Sequence, residues 1–155
     1  MKRIICIVVS VLIMLFCAGC APEQMPETET VEDTTKEVRT LQLSIDGTEV
    51  SVEWENNESV EALSELVGSE QLSVQLSMYG GFEQVGSLGK SLPKNDEQMT
   101  TQAGDIVLYS GNQIVIFYGS NPWGYTRLGR ITDKSGEELS VLLGNGDVTI
   151  TISMD

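Results

Sequence analysis

The chain has 155 residues, a formal net charge of −14 and a hydrophobic fraction of 41%, which fits a single globular domain with one core. It contains no histidine, and its three cysteines all lie at or before Cys20. The rest of the chain therefore lacks the side chains for Cys-His or Ser-His nucleophilic catalysis and for thiolate or imidazole metal ligation. Because contacts to phosphate groups need a basic patch, the acidity argues against nucleic acid as a partner. We expect neither a cofactor nor a metal.

The N-terminal segment has the pattern of an export signal. A lysine and an arginine precede an almost entirely apolar stretch over residues 4–16, and the small residues Ala18 and Gly19 lead to Cys20. This apolar stretch suits the central region of a signal peptide and is shorter than the roughly 20 apolar residues of a membrane span.

The segment resembles the bacterial lipoprotein signal, in which a diacylglyceryl group is attached to a cysteine before the peptide is cleaved ahead of it. Cys17 departs from that pattern, which usually has leucine at this position. We predict a signal peptide over residues 1–19, attachment to membrane lipid through Cys20, and a location on the extracytoplasmic face of the cell membrane. The alternative is that the apolar stretch remains as an uncleaved N-terminal anchor helix.

Residues 20–39 are predicted to be a flexible acidic tether. After Cys20 they contain six acids, two prolines and almost no large apolar side chains, so the segment cannot bury enough surface to offset its ordering entropy. Random-coil scaling gives it a reach of about 25 Å.

The folded part begins with a hairpin and a helix. Apolar side chains alternate with polar ones over residues 41–45 and 50–54, and Asp46-Gly47 between them is typical of a tight turn. Asn57 is placed to cap a helix with one apolar face, which Gly68 ends.

Short strands dominate the remainder. Residues 72–78 alternate perfectly, whereas two runs near the middle of the domain are apolar on both faces, which predicts central strands. The predicted elements after residue 90 are strands at 98–101, 106–109, 114–118, 125–131 and 148–154, and a short helix at 135–143. About eight short strands with one or two short helices predict an all-β domain with a closed β-barrel.

Five motifs of this domain resemble a bacterial family of cyclophilin-like domains, in the family's order and spacing. They are Tyr79 to Gly89 (YGGFEQVGSLG), Ser91-Leu92-Pro93, Ala103 to Tyr109 (AGDIVLY), Gly111 to Tyr118 (GNQIVIFY) and Tyr125 to Ile131 (YTRLGRI). The resemblance implies a closed eight-stranded barrel over residues 40–155, capped by helices, in a family whose members occur as lipoproteins or fused to other domains.

True cyclophilins are peptidyl-prolyl isomerases, but their characteristic phenylalanine–histidine–arginine stretch is absent here. Rotation about a prolyl bond needs no covalent nucleophile, since an arginine beside the imide nitrogen and an apolar proline pocket suffice in principle. Arg127, which lies close in sequence to Trp123 and Tyr125, is the candidate for this role.

We therefore predict a groove that binds a peptide or a small molecule. Its candidate residues are Tyr79, Phe82, Glu83, Gln84, Trp123, Tyr125, Arg127 and Arg130. Several of them also have a purely structural interpretation: Phe82 as a plug of the barrel, Glu83 and Gln84 as partners of a neighbouring loop, and the arginines as partners of nearby carboxylates. The adjacent Gly80-Gly81 can likewise be a tight turn at a barrel corner. Trp123 is placed on a loop, where aromatic side chains are common binding anchors.

Three functions are compatible with these observations. The first is a non-catalytic binding module tethered to the membrane. The second is a peptidyl-prolyl isomerase that assists the folding of secreted proteins. The third is an accessory subunit that uses the barrel only as an interaction surface.

Overall fold

A computed structural model describes residues 40–155 of the chain. The predicted signal peptide (1–19), the tether (20–39) and the lipid attachment site Cys20 lie outside the described residues. No helix within residues 40–155 is long and apolar enough to cross a membrane.

Residues 40–155 form ten strands and two helices. In chain order they are β1 Leu41–Ile45, β2 Thr48–Val50, β3 Val52–Trp54, α1 Glu58–Val67, β4 Leu72–Tyr79, β5 Glu83–Ser87, β6 Glu97–Thr100, β7 Asp105–Tyr109, β8 Gln113–Phe117, β9 Pro122–Ile131, α2 Gly136–Leu143 and β10 Val148–Met154.

The turn and cap signals of the sequence are confirmed. Asp46 and Gly47 both have positive φ, 47° and 78°, as a tight hairpin turn requires. The Asn57 side chain accepts a hydrogen bond from the Val60 N–H at 3.0 Å. Ser135 caps α2 in a reciprocal capping box with Glu138.

One extended segment joins both ends of the sheet. The strands follow the order β2-β1-β10-β4-β5-β8-β7-β9-β3, and only Ser51 separates β2 from β3. The segment thus pairs with β1 through β2 and with β9 through β3, and Trp54 Nε1 donates to the carbonyl of Leu41 at 2.8 Å. With β2 and β3 counted once and β6 lying outside the ring, eight strand segments form a nearly closed barrel, which confirms the predicted fold.

The main core lies on the inner face of the barrel strands. Ile106, Leu108, Ile114 and Ile116 of the central strands are fully buried there. Leucines of both helices, including Leu63 of α1 and Leu143 of α2, belong to the same cluster.

Strands β7 and β8 also bury their opposite face. Val107, Val115, Phe117 and Tyr125 form a second apolar cluster there, with Met99 of β6 packed against it. Strand β6 reaches this cluster because it pairs with the first half of β9. The prediction that these two runs are central strands is confirmed, since β8 lies between β5 and β7, and β7 between β8 and β9.

The prediction that Trp123 lies on a loop is wrong. β9 begins at Pro122, and Trp123 lies opposite Met99 in the β6–β9 pair. The short strand β6 is what extends β9 beyond the predicted start at Tyr125, because it offers backbone partners to residues 122–125.

The barrel has no room for a side chain at Gly86. A Cβ there would meet the Leu76 side chain and lie 2.6 Å from the carbonyl oxygen of Gln75. Because that oxygen belongs to the backbone of β4, we expect Gly86→Ala to lower the free energy of unfolding by about 1–3 kcal/mol, measured by urea denaturation. The matched control is Gly136→Ala, whose Cβ would be 3.7 Å from Ala103, an ordinary contact. Equal losses in both variants would contradict this account of the β4–β5 packing.

Candidate ligand-binding cleft

A cleft of about 350 Å³ opens on the face of β5, β7, β8 and β9 that is opposite the main core. Its lining is rich in aromatic rings and includes one carboxyl group, and we call it the aromatic cleft. It is lined by Tyr79, Glu83, Val85, Tyr109, Gln113, Val115, Asn121, Trp123 and Tyr125. Four of the eight predicted groove residues thus come together here: Tyr79, Glu83, Trp123 and Tyr125.

Tyr125 is the fixed centre of the aromatic cleft. Its ring meets Phe117 edge-on at a centroid distance of 5.6 Å and Tyr109 at 6.0 Å, and only 4% of the residue is exposed. The Asn121 amide donates to its hydroxyl at 2.8 Å, and Asn121 is held by backbone and side-chain hydrogen bonds with Thr101. These contacts fix the aromatic wall in place before any ligand arrives.

The two most exposed aromatic residues of the aromatic cleft form its rim. Tyr79 is 67% exposed and Trp123 is 56% exposed. Tyr79 ends β4 beside the Gly80-Gly81 turn, whose positive φ angles of 63° and 75° carry the chain into β5. Large aromatic side chains left open to solvent around a concave surface are a usual mark of a binding site.

Glu83 lines the aromatic cleft with a carboxyl group that is nearly buried. The residue is 7% exposed, and Oε2 has no hydrogen-bond partner among residues 40–155. Burial raises the pKa of this carboxyl above its ordinary value. Burial raises the pKa of the Tyr118 and Tyr125 hydroxyls, and the negative charge of Glu83 raises it further. A buried charge without a partner destabilises the folded state. We would expect such an unpartnered group at a site whose partner is a bound ligand.

Strand alternation separates Glu83 from its neighbour Gln84, whereas Phe82 precedes β5 and packs against the same outer cluster as Glu83. Gln84 faces the barrel interior, where its amide donates to the carbonyls of Leu143 and Gly146 at 2.6 Å each and so ties β5 to the end of α2. Phe82 stacks on Phe117 at 6.5 Å, and its backbone oxygen accepts from two N–H groups after β8. Neither side chain lines the aromatic cleft.

The two arginines lie outside the aromatic cleft. Asp105, which is almost fully buried, holds both of them: Arg130 Nε is 3.0 Å and Arg127 Nη1 is 3.5 Å from its Oδ1. Arg127 also lies 3.8 Å from a Glu55 oxygen. Arg127 lines a second, larger and more polar cleft of about 950 Å³, which shares Tyr125 with the first.

Sequence reasoning missed several residues of the aromatic cleft, chiefly Tyr109, Asn121 and Val115. A signal for two of them was present, because Tyr109 and Val115 share the period-two face of Val107 and Phe117. Asn121 carried no such signal, since its role depends on the distant Thr101. No cluster of three or more acidic or cysteine side chains that could hold a metal occurs in residues 40–155.

The nearly closed barrel with two short helices and a cleft on its outer face defines an all-β, cyclophilin-like domain. A model of the cyclophilin-like family matches residues 43–153. This match spans most of the chain, and the chain therefore belongs to the cyclophilin-like family.

Two solved structures share this fold. One is a hypothetical protein from Archaeoglobus fulgidus, AF2241, with a TM-score of 0.53 and 14% identity over 73% of this chain and 92% of that one. The other is McbB, solved in complex with tryptophan, with a TM-score of 0.51 and 10% identity over 74% of this chain and only 44% of McbB. At such identities the likeness shows the fold alone. A comparison with curated protein sequences found no match.

We expect Glu83→Gln to stabilise the domain by about 1 kcal/mol at neutral pH, because it removes a buried, unpartnered charge. The folded-state pKa of Glu83 is raised above the ordinary 4.5, so its ionisation costs stability above the folded-state pKa. As the pH falls, that cost shrinks and disappears below the unfolded-state pKa. The advantage of Glu83→Gln should therefore fade on acidification.

Urea unfolding at several pH values between about 4 and 8 measures this effect. Burial raises the pKa of the nearby Tyr118 and Tyr125 hydroxyls above its ordinary value, so these two groups stay protonated over that range. The exposed Glu49→Gln makes the same chemical change on the surface and should leave stability unaltered. A stability gain that grows on acidification would contradict the assignment.

Proposed function

We propose that this protein is a lipid-anchored bacterial lipoprotein whose extracytoplasmic cyclophilin-like domain binds a peptide or a small molecule without catalysing its conversion. The observation that carries the proposal is the aromatic cleft: Tyr79 and Trp123 are exposed around a site whose wall, Tyr125, is rigidly held.

The dimensions of the aromatic cleft favour a small target. A volume of about 350 Å³ is at the lower end of small-molecule pockets, so it fits one long side chain of a peptide or a compound of that size. An extended peptide that places one side chain in the cleft would pass over the Trp123 and Tyr79 rims.

The positions of the arginines argue for binding rather than isomerisation. The route to isomerisation considered above places an arginine at the imide nitrogen beside an apolar pocket. Here Arg127 contacts Asp105 and Glu55 in the polar cleft, and no arginine of residues 40–155 lines the aromatic cleft.

Anchoring at the membrane is supported by the sequence pattern that ends at Cys20. The acidic residues 20–39 would then serve as a spacer, and the lipid would have to supply the membrane affinity because the acidic domain is repelled by anionic head groups.

Binding is tested by two-dimensional ¹H–¹⁵N NMR with a pool of short peptides that covers all side-chain classes. We expect at least one peptide to shift the indole signal of Trp123, assigned by Trp123→Phe. The Trp54 indole is an internal control, since it is bonded to the Leu41 carbonyl and does not line the aromatic cleft. If no peptide moves the Trp123 signal at millimolar concentration, peptide binding at the aromatic cleft is wrong.

Catalysis is tested by a prolyl isomerisation assay on a proline-containing peptide. We expect no acceleration at micromolar protein, because Arg127 is held by acids outside the aromatic cleft. Acceleration that Arg127→Ala abolishes would establish the isomerase instead, with the site in the polar cleft.

Lipid anchoring is tested by metabolic labelling with a fatty acid in bacterial cells. We expect wild-type protein to incorporate the label and to remain with the membrane, and Cys20→Ser to lose both properties because the sulfur that carries the lipid is gone. Cys17→Ser is the matched control and should keep the label. Equal membrane retention of Cys20→Ser and wild type would contradict processing at Cys20.

A further inference from the structure

We propose that the aromatic cleft selects an organic cation, namely an ammonium or guanidinium group carried by a peptide side chain or a small molecule. This inference rests on the proposed binding function and specifies the chemistry of its ligand.

The first support is the unpartnered carboxyl group of Glu83. The residue is more than nine-tenths buried, lines the aromatic cleft, and has an oxygen without a hydrogen-bond partner among residues 40–155. A buried carboxylate is stabilised by a cation that donates hydrogen bonds to it. A ligand with a negative charge would be repelled from the same position.

The second support is the set of rings around that carboxyl group. Tyr79, Tyr109, Trp123 and Tyr125 all line the same cleft as Glu83. The face of an aromatic ring carries a negative quadrupole and attracts cations within about 6 Å, and tryptophan attracts them most strongly. Aromatic walls combined with one carboxylate therefore suit a desolvated ammonium or guanidinium group better than a neutral apolar one.

The third support is that the protein supplies no cation of its own to this cleft. None of the lysines and arginines of residues 40–155 lines it. Of the five in that range, Lys94, Arg127, Arg130 and Lys134 already form ion pairs with acids elsewhere. The charge of Glu83 is thus left for a group from outside the described domain.

Calorimetric titration of the full protein tests the inference with three blocked amino acids: N-acetyl-arginine amide, N-acetyl-lysine amide and the neutral isostere N-acetyl-citrulline amide. We expect both cations to bind about tenfold or more tightly than citrulline. Tetrapeptides that carry arginine or citrulline at one position show whether a peptide backbone adds affinity, which distinguishes a peptide ligand from a small molecule.

The variants separate the charge from the rings. Glu83→Gln should weaken the cations about tenfold and leave citrulline unchanged, whereas the surface control Glu49→Gln should leave both unchanged. Trp123→Leu, which keeps apolar area but loses the ring, should weaken the cations more than citrulline. Thermal unfolding of each variant confirms that it is folded.

The outcomes also separate this inference from the proposed function. If peptides shift the Trp123 indole while citrulline binds as tightly as arginine, the cleft is a binding site but not a cation site, and the inference is overturned. Arginine binding that Glu83→Gln leaves intact overturns it equally. If nothing shifts Trp123, both the inference and the proposed function fail.

Discussion

Burial of both faces of strands β7 and β8 is the constraint on which the rest of this domain depends. Their inner side chains, such as Ile106 and Ile116, fill the barrel, while Val107, Val115 and Phe117 carry a second apolar cluster on the outside. That outer cluster needs a cover, which β6 and the first half of β9 provide. The cover is incomplete, and the gap that remains between β9 and the β4–β5 hairpin is the aromatic cleft.

The position that the fold gives to Glu83 lowers the stability of the domain. Strand alternation sends Gln84 inward to well-placed carbonyls and therefore sends Glu83 outward, against the aromatic cluster, where its Oε2 has no hydrogen-bond partner in the described domain. Two other buried oxygens also lack partners, those of Gln84 Oε1 and Tyr118, but neither lines the cleft. Such a carboxylate has a functional explanation if ligand binding in the open pocket offsets the stability that the fold loses. Asp105 is the contrasting case, because the domain itself supplies two arginines as ion-pair partners for this buried carboxylate.

The sequence was sufficient for the fold because local signals agreed with one another. The Asp46-Gly47 turn, the Asn57 cap and the doubly apolar runs each predict an element independently of tertiary contacts. The site was only partly predictable. Four of the eight residues of the groove hypothesis line one cleft, whereas Phe82, Gln84, Arg127 and Arg130 do not. Sequence proximity had grouped the arginines with Trp123 and Tyr125. Their pairing with Asp105 depends on the β7–β9 register and its bulge near Val107, which no local pattern reveals.

The ionisation of Glu83 is the central claim, because both the cost to the fold and the preference for a cation follow from it. The most direct test is a ¹³C NMR titration of the Glu83 side-chain carboxyl, assigned with Glu83→Gln, in free protein and with saturating N-acetyl-arginine amide. The account predicts a midpoint above the ordinary 4.5 in the free protein and a lower midpoint with the cation bound, since a neighbouring positive charge favours the carboxylate. An ordinary midpoint that the ligand leaves unmoved would contradict it.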